Sequence, residues 1–203
     1  MPPQLIDASF IIAGTDTGVG KTFVACQLAQ QFKKSGKSVG VFKPFESGGN
    51  SDSRALQKAS NTKQTMDEIC FYSLKLPASP YQAALSQKIK IDFTRVVKTI
   101  KQALPKNQIN IIELAGGLLV PITSTHTNLD LIKALKLPVI LVAANKLGTI
   151  NHSLMTLQIL KQNKIKVERF YLNNFLKNQN KKVLRSNLEQ IKMFFPGIEY
   201  LKI

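Results

Sequence analysis

Apolar residues in this chain fall into short unbroken runs that alternate with stretches of helical spacing, the signature of strands and helices in turn. Residues 9–13 read as a buried strand. Phe23, Val24, Leu28, Ala29 and Phe32 then recur at helical spacing, before Lys33, Lys34 and a terminating Gly36. A second strand, 38–43, is stopped by Pro44, which also turns Lys43 away from helical angles. Asp92 opens a helix with Phe93, Val96, Val97, Ile100 and Leu104 on one face, and residues 109–113 form a third strand. A short helix at 129–135 follows, then a strand at 138–144, a helix from Thr149 through Leu154, Leu157 and Leu160, a strand at 167–172 and a final helix at 181–194. Residues 60–84, weakly patterned and carrying Pro77 and Pro80, read as one long connection. The alternation predicts an α/β fold, a mostly parallel sheet with helices on both faces, as a single domain over residues 1–203.

Between the first strand and first helix lies Gly14-Thr-Asp-Thr-Gly-Val-Gly-Lys21-Thr22. A glycine-rich turn at that place lets successive amide hydrogens converge, and the helix start adds the positive end of its dipole, so a polyphosphate fits there. Lys21 would reach the outer phosphates, and the Thr22 hydroxyl would hold a magnesium ion bridging them. This makes the expected architecture a P-loop NTPase fold. The usual loop pattern has glycine at the place of Thr15, and here Gly14 stands one residue earlier.

Ligands of such sheets collect at the carboxyl ends of the strands, and those ends are polar in this chain. Glu113 caps the apolar Ile109-Asn-Ile-Ile, where a buried carboxylate needs a cation that a phosphate-bound metal would supply; the other reading is a strand-end glutamate reaching solvent. Asp52 either starts the helix that carries Ala55 and Leu56 or joins the metal site. Lys43 either stabilises charge on a transferring phosphoryl group or snorkels at the sheet edge. His126 and His152 have no acid nearby in sequence and read as structural or surface residues.

Composition adds a net charge of +16, which points to nucleic acid, an anionic surface or acidic small molecules. Residues 161–192 hold nine basic residues against Glu168 and Glu189, yet no aromatic residues alternate with them and no helix-turn-helix or zinc spacing occurs. No nucleic-acid partner is therefore expected. Cys26 and Cys70 have no metal-ligand spacing and read as free thiols in a reducing compartment. Residues 1–7 lack a basic stretch followed by an apolar core, and no eighteen apolar residues run together, so a cytoplasmic protein without membrane association is expected.

Taken together, the loop, Lys43-Pro-Phe-Glu-Ser47-Gly, Ser51-Asp52, Glu113-Leu-Ala-Gly116-Gly-Leu-Leu-Val-Pro121 and Lys146-Leu-Gly-Thr-Ile-Asn151-His resemble the dethiobiotin synthetases, in order from Ile11 to about Asn174. Thr15 is ordinary in that family. The resemblance implies an ATP- and Mg2+-dependent ligase that carboxylates 7,8-diaminononanoate with CO2 and closes a ureido ring, in biotin synthesis. It implies that Gly18, Val19, Gly20, Lys21, Thr22 and Phe23 hold the triphosphate and that Thr22, Asp52 and Glu113 surround the metal. Leu114, Ala115 and Gly116 would border the nucleotide, and Asn173 with Asn174 would meet its base. Lys21 and Lys43 are the implied catalytic residues. Thr17 and Ser47 would touch the diamine, and Thr149, Ile150 and Asn151 of a second subunit would receive its carboxylate, which implies a homodimer. The family usually has glycine where this chain has Leu114, and its proline-containing base loop is hard to match in Pro196-Gly-Ile-Glu-Tyr. Arg185 is placed near the substrate carboxylate by position alone. The alternative is a partitioning-type ATPase acting on DNA or a membrane, against which the loop itself argues, because those proteins carry a lysine where this chain has Asp16.

Overall fold

The computed structural model describes residues 9–175 and 181–203; residues 1–8, on which the expectation of no leader segment rests, lie outside it. In chain order the elements begin β1 (Phe10–Gly14), α1 (Lys21–Lys34), β2 (Val39–Phe42), β3 (Phe45–Ser47), α2 (Ser51–Ser60), α3 (Met66–Ile69), β4 (Tyr72–Leu74) and α4 (Pro80–Ser86). They continue with α5 (Phe93–Ala103), β5 (Ile109–Gly117), α6 (Asn128–Leu135), β6 (Val139–Ala144), α7 (Thr149–Gln162), β7 (Val167–Asn173), α8 (Lys181–Phe194) and β8 (Glu199–Lys202).

Six strands form one sheet in the order β2-β5-β1-β6-β7-β8, and every pairing is parallel. Parallel strands are covered on both faces, which is why their sequences are continuous apolar runs. Successive side chains of β1 point to opposite sides. Phe10 and Ile12 join a cluster with Val24, Leu28 and Leu56 from α1 and α2. Ile11 and Ala13 face a second cluster, with Ile100, Leu131, Leu157 and Leu188 from α5 to α8. The chain leaves β1 toward β2 on one side and crosses from β5 to β6 on the other, so the end of β1 lies at the switch point where open α/β sheets bind ligands.

Pro44 ends β2 and sends the chain into the separate pair β3-β4, tied down where Lys43 N donates to Ile69 O (2.8 Å) and Tyr72 N to Pro44 O (3.1 Å). The expected single connection over 60–84 in fact contains α3, β4 and the start of α4. These elements span three to seven residues, too short to register a period. The edge strand β8 was also not anticipated; it pairs with β7 and is reinforced where Arg169 Nε bonds Glu199 Oε2 at 2.5 Å. Asp92 caps α5 as expected, its Oδ1 accepting from Arg95 N at 2.9 Å. Cys26 and Cys70 are free, and burial pushes the half-buried Cys26 thiol up to about 11, an unreactive setting. Among the described residues no helix is long and apolar enough to cross a membrane.

Ile12 sits at the centre of the sheet with no exposed surface, paired to Glu113 of β5 and Ile140 of β6. Replacing it by alanine is expected to cost about 2–5 kcal/mol, read as a lower urea midpoint with an unchanged denaturant slope.

Candidate functional site

The loop from β1 to α1 is held at its root, where Thr15 N donates to Val142 O of β6 (3.0 Å). Asp16 Oδ1 accepts from Thr17 N (2.7 Å), and the Lys21 ammonium reaches back to Asp16 O (2.9 Å). That route carries the Lys21 chain over Gly14, where a Cβ would come within 2.9 Å of its Cδ and Nζ. A Cβ at 14 would also come within 2.9 Å of the Asp16 carbonyl oxygen, so the close approach favours glycine there. Gly20 adopts φ +94°, and a Cβ there would fall 2.1 Å from Asn173 Nδ2.

Beyond the loop lies a cluster of charges: Lys43 just past β2, Asp52 in α2, and Glu113 midway along β5, which runs on through Gly117 rather than ending at 113 as the sequence suggests. Glu113 has no exposed surface and Lys43 only 3%. Thr22 Oγ1 donates to Glu113 Oε1 (2.8 Å), the same oxygen that receives the Lys43 ammonium, and Lys43 Nζ also meets Asp52 Oδ2 at 3.1 Å. Burial pulls the pKa of Lys43 down, but the carboxylates of Glu113 and Asp52 outweigh it, and the net shift is upward. Lys21 goes the other way, lowered to about 8 chiefly by burial and next by the charge of Lys43. Of the two readings of Lys43, snorkelling is therefore excluded.

Asp52 lies in the first turn of α2, yet it does not cap that helix. Glu46 does so instead, its Oε1 accepting from Asp52 N (2.7 Å) and its Oε2 from Ser53 N (3.0 Å) and from Ser53 Oγ. Asn50, at the N-cap position, makes no side-chain cap bond.

A cavity of about 1010 Å³ joins these groups, running from Thr17, Lys21 and Thr22 past Lys43 and Glu113 to Ser47. Its sides include segment 77–80 and residues 115–116 opposite. Asn173, Asn174, Phe175 and Ile203 also line it, with Asn173 and Phe175 beside Gly20 of the loop. Asn173 Nδ2 donates to Val19 O (3.4 Å), and Asn174 Oδ1 accepts from Asn145 Nδ2 (2.7 Å), which is itself fixed by Asn187 (2.7 Å). Glu113 Oε2 and Ser47 Oγ are buried polar atoms with no hydrogen-bond partner, and both belong to residues lining this cavity. Two carboxylates and a hydroxyl are hard oxygen donors suited to Mg2+, and the unpartnered Glu113 oxygen is a further donor, so Thr22, Asp52 and Glu113 fit the ion. Among the described residues no cluster of three or more His, Cys, Asp or Glu could hold a metal unaided.

Of the expected site residues, Thr17, Gly18, Gly20 to Phe23, Lys43, Ser47, Asp52, Glu113, Ala115, Gly116, Asn173 and Asn174 line the one cavity. Val19 and Leu114 turn their side chains into the two cores, so both are confined to backbone contacts here. Thr149, Ile150 and Asn151 do not line it: Thr149 is buried at the start of α7, Ile150 half-buried and Asn151 exposed. Arg185 is exposed and likewise outside. His126 is structural, its Nδ1 between Thr123 and Thr125 hydroxyls (2.9 and 3.0 Å) and its ring stacked on Phe93 at 4.1 Å. Residues Pro77, Pro80, Phe175 and Ile203 were missed because they sit in weakly patterned segments that only the fold brings to the cleft.

The depressed pKa of Lys21 has a measurable consequence. A bound triphosphate favours the charged lysine, so binding raises its pKa and takes up protons in the window from about 8 to the ordinary value of 10.5. Calorimetric titration of ATP in buffers of differing ionisation enthalpy should show uptake of about half a proton at pH 8, where half of the free-state lysine is neutral, and almost none from Lys21 at pH 6.5. Lys21→Met should abolish the uptake.

A family profile described as an AAA domain matches residues 8–198. The chain is 39% identical over 186 residues to an ATP-dependent dethiobiotin synthetase BioD of Endomicrobium trichonymphae, covering 89% of this chain and 85% of that relative. It is 42% identical over 163 residues to the synthetase of the same name from Bacillus licheniformis, covering 78% and 69%. With that of Methanocaldococcus jannaschii identity is 39% over 166 residues, covering 80% and 78%. Among solved structures, the MinC:MinD cell division complex of Aquifex aeolicus superposes with a TM-score of 0.61 at 12% identity, covering 95% of this chain and 79% of that one. A ParA family ATPase of Chlorobium tepidum gives 0.59 at 14% identity, covering 97% and 84%. The receptor FtsY of Elizabethkingia anophelis gives 0.55 at 18%, covering 97% of this chain, which spans 58% of that one. Likeness at such identity speaks for the fold alone. The sequence relatives say more, and with the loop, the buried Lys43–Glu113 pair and Asp52 gathered at one cleft, the chain belongs to the ATP-dependent dethiobiotin synthetase family of ligases.

Proposed function

We propose that this ligase acts in biotin synthesis by carboxylating 7,8-diaminononanoate and closing its ureido ring with ATP, Mg2+ and CO2. The observation that carries the reading is the placement of the Lys43 ammonium on Glu113 and Asp52, in one cleft with the Lys21 loop and the unpartnered Ser47 hydroxyl. One amine of the diamine adds to CO2 and gives up a proton, forming a carbamate. A carbamate oxygen then attacks the γ-phosphorus, ADP leaves and a carbamic–phosphoric anhydride remains. The second amine attacks the carbamoyl carbon, phosphate leaves with the bonding pair, and loss of a proton yields the ring. Positioning and charge stabilisation carry such phosphoryl transfers, so no separate general base is invoked.

Each side chain has a part in this scheme. Lys21 and the loop amides bind the outer phosphates. Lys43, kept charged by its carboxylate neighbours, stabilises the carbamate and the phosphoryl group in transfer. Thr17 and Ser47 orient the diamine, and Val19, Phe23 and residues 114–116 border the nucleotide, whose base lies toward Asn173, Asn174 and Phe175. Thr22, Asp52 and Glu113 would hold Mg2+, which would neutralise charge on the phosphates.

The substrate carboxylate goes to Thr149, Ile150 and Asn151 of a second copy, making the working unit a homodimer. Two observations support this. The start of α7 lies outside its own chain's cleft, and large apolar side chains near it stand exposed, Leu147 at 83% and Met155 at 57%. A reducing, cytoplasmic setting agrees with the free Cys26 and Cys70. Nucleic acid is not a substrate in this reading, since at the cleft Lys43 is paired with Asp52 and Glu113.

ADP release should require the diamine and bicarbonate together, with Mg2+ present. Lys43→Ala should lower kcat by about 10²–10³-fold, the usual loss of one transition-state charge contact, with ATP affinity nearly unchanged. Steady ADP release in the absence of the diamine would sink the assignment.

A further inference from the structure

Glu46 is a carboxylate with only 5% exposure, set three residues beyond Lys43 and facing the same cleft. Both of its oxygens are engaged, and both by the first turn of one helix: Asp52 N on Oε1, Ser53 N and Ser53 Oγ on Oε2. A negative group at a helix start satisfies amides that otherwise lack partners and meets the positive end of the dipole. Here the residue at the N-cap position, Asn50, makes no side-chain cap bond, so the anchoring comes from outside the helix. The helix position so fixed is that of Asp52, whose carboxylate is 40% exposed and reaches Lys43 at 3.1 Å. The loop between Glu46 and Asp52 contains Gly48 and Gly49, both at positive φ, and offers little stiffness of its own.

We propose that Glu46 is a positioning residue for the divalent cation: by pinning the amides of Asp52 and Ser53 it fixes the Asp52 carboxylate beside Glu113 and Lys43. The inference rests on the reading of Asp52 as a metal ligand. Glu46 itself does not touch the ion, because its oxygens are spent on the helix start. Partners that orient a metal ligand in this way are worth about 10–100-fold in metal affinity.

The test is Mn2+ binding, followed by the EPR signal of the free ion, to the full chain holding a non-hydrolysable ATP analogue. Glu46→Gln keeps the shape but turns an amide nitrogen toward donors. It should weaken Mn2+ by about tenfold or more while leaving metal-free analogue affinity unchanged. Asp52→Asn should also weaken it, and the double variant should be no weaker than Asp52→Asn alone, the non-additivity of residues acting through one ligand. Ser53→Ala, a milder change that removes one of the three bonds, should give a loss of a few-fold and serves if Glu46→Gln does not fold. Unchanged Mn2+ affinity in both Glu46→Gln and Ser53→Ala, additive losses in the double variant, or a loss confined to metal-free nucleotide binding would each overturn the proposal. If Asp52→Asn alone leaves Mn2+ binding intact, the reading of Asp52 as a ligand fails, and this inference fails with it.

Discussion

Glu113 stands midway along β5 in the middle of the sheet, fully out of water, and a carboxylate there is tolerable only if cations and donors meet it. Much of the surrounding architecture answers that demand. Thr22 brings a hydroxyl from α1, and Lys43 brings an ammonium from the end of β2, the strand beside β5. A buried ion pair of this kind is weak evidence of stability, since apolar residues of similar volume often serve as well, whereas removing one partner strands the other at a cost of about 3–5 kcal/mol. The pair is better explained by chemistry than by folding. One oxygen of Glu113 remains without a partner, and an unmet acceptor in so dry a place points to a ligand.

Much of this was legible in the amino-acid order, and the reason is parallel-sheet physics. Strands buried on both faces are unbroken apolar runs, so a polar residue that interrupts or follows one is conspicuous, and Lys43, Glu113 and Asn173 each stand out in the sequence itself. The glycine loop was equally visible. What stayed hidden depended on contacts between segments distant in sequence or too short to show a period. Phe175 and Ile203 approach the cleft only because β8 pairs with β7 and Ile203 N and O bond Leu172 and Asn174. The role of Glu46 was hidden for a different reason: the N-cap rules look for a side chain inside the helix start, and here the cap arrives from the preceding strand. The sequence leaves Asp52 open to either capping or metal binding, and the geometry removes capping because Glu46 performs it.

Fold and charge are poor guides to function in this chain. ATPases and a receptor superpose on this chain with TM-scores of 0.55–0.61 at identities of 12–18%, which speaks for the scaffold and for nothing of its chemistry. A net charge of +16 would favour a polyanion partner if it were gathered into one field, but the cleft is lined by two lysines and three carboxylates, Glu46, Asp52 and Glu113. The local balance differs from the global one. Selection of substrate therefore rests on where individual charges and unpartnered atoms stand, and the family assignment rests on the sequence relatives and not on the superpositions.

Lys21 and Lys43 illustrate how one cleft makes two different tools from one residue type. Lys21 is buried against a backbone carbonyl, with the charge of Lys43 nearby, and its pKa falls to about 8. Lys43 is equally buried but faces two carboxylates, and its pKa rises. Environments that drive paired groups apart in this way separate their roles. A lysine that stays charged across the physiological range suits a fixed electrostatic part beside the reacting atoms. A lysine whose charge is costly until an anion arrives recovers more binding energy when a triphosphate fills the loop, because the ligand supplies the partner that burial denied it. Lys43 contributes to that arrangement from both sides, since it lowers the pKa of Lys21 while its own charge is held by Glu113 and Asp52.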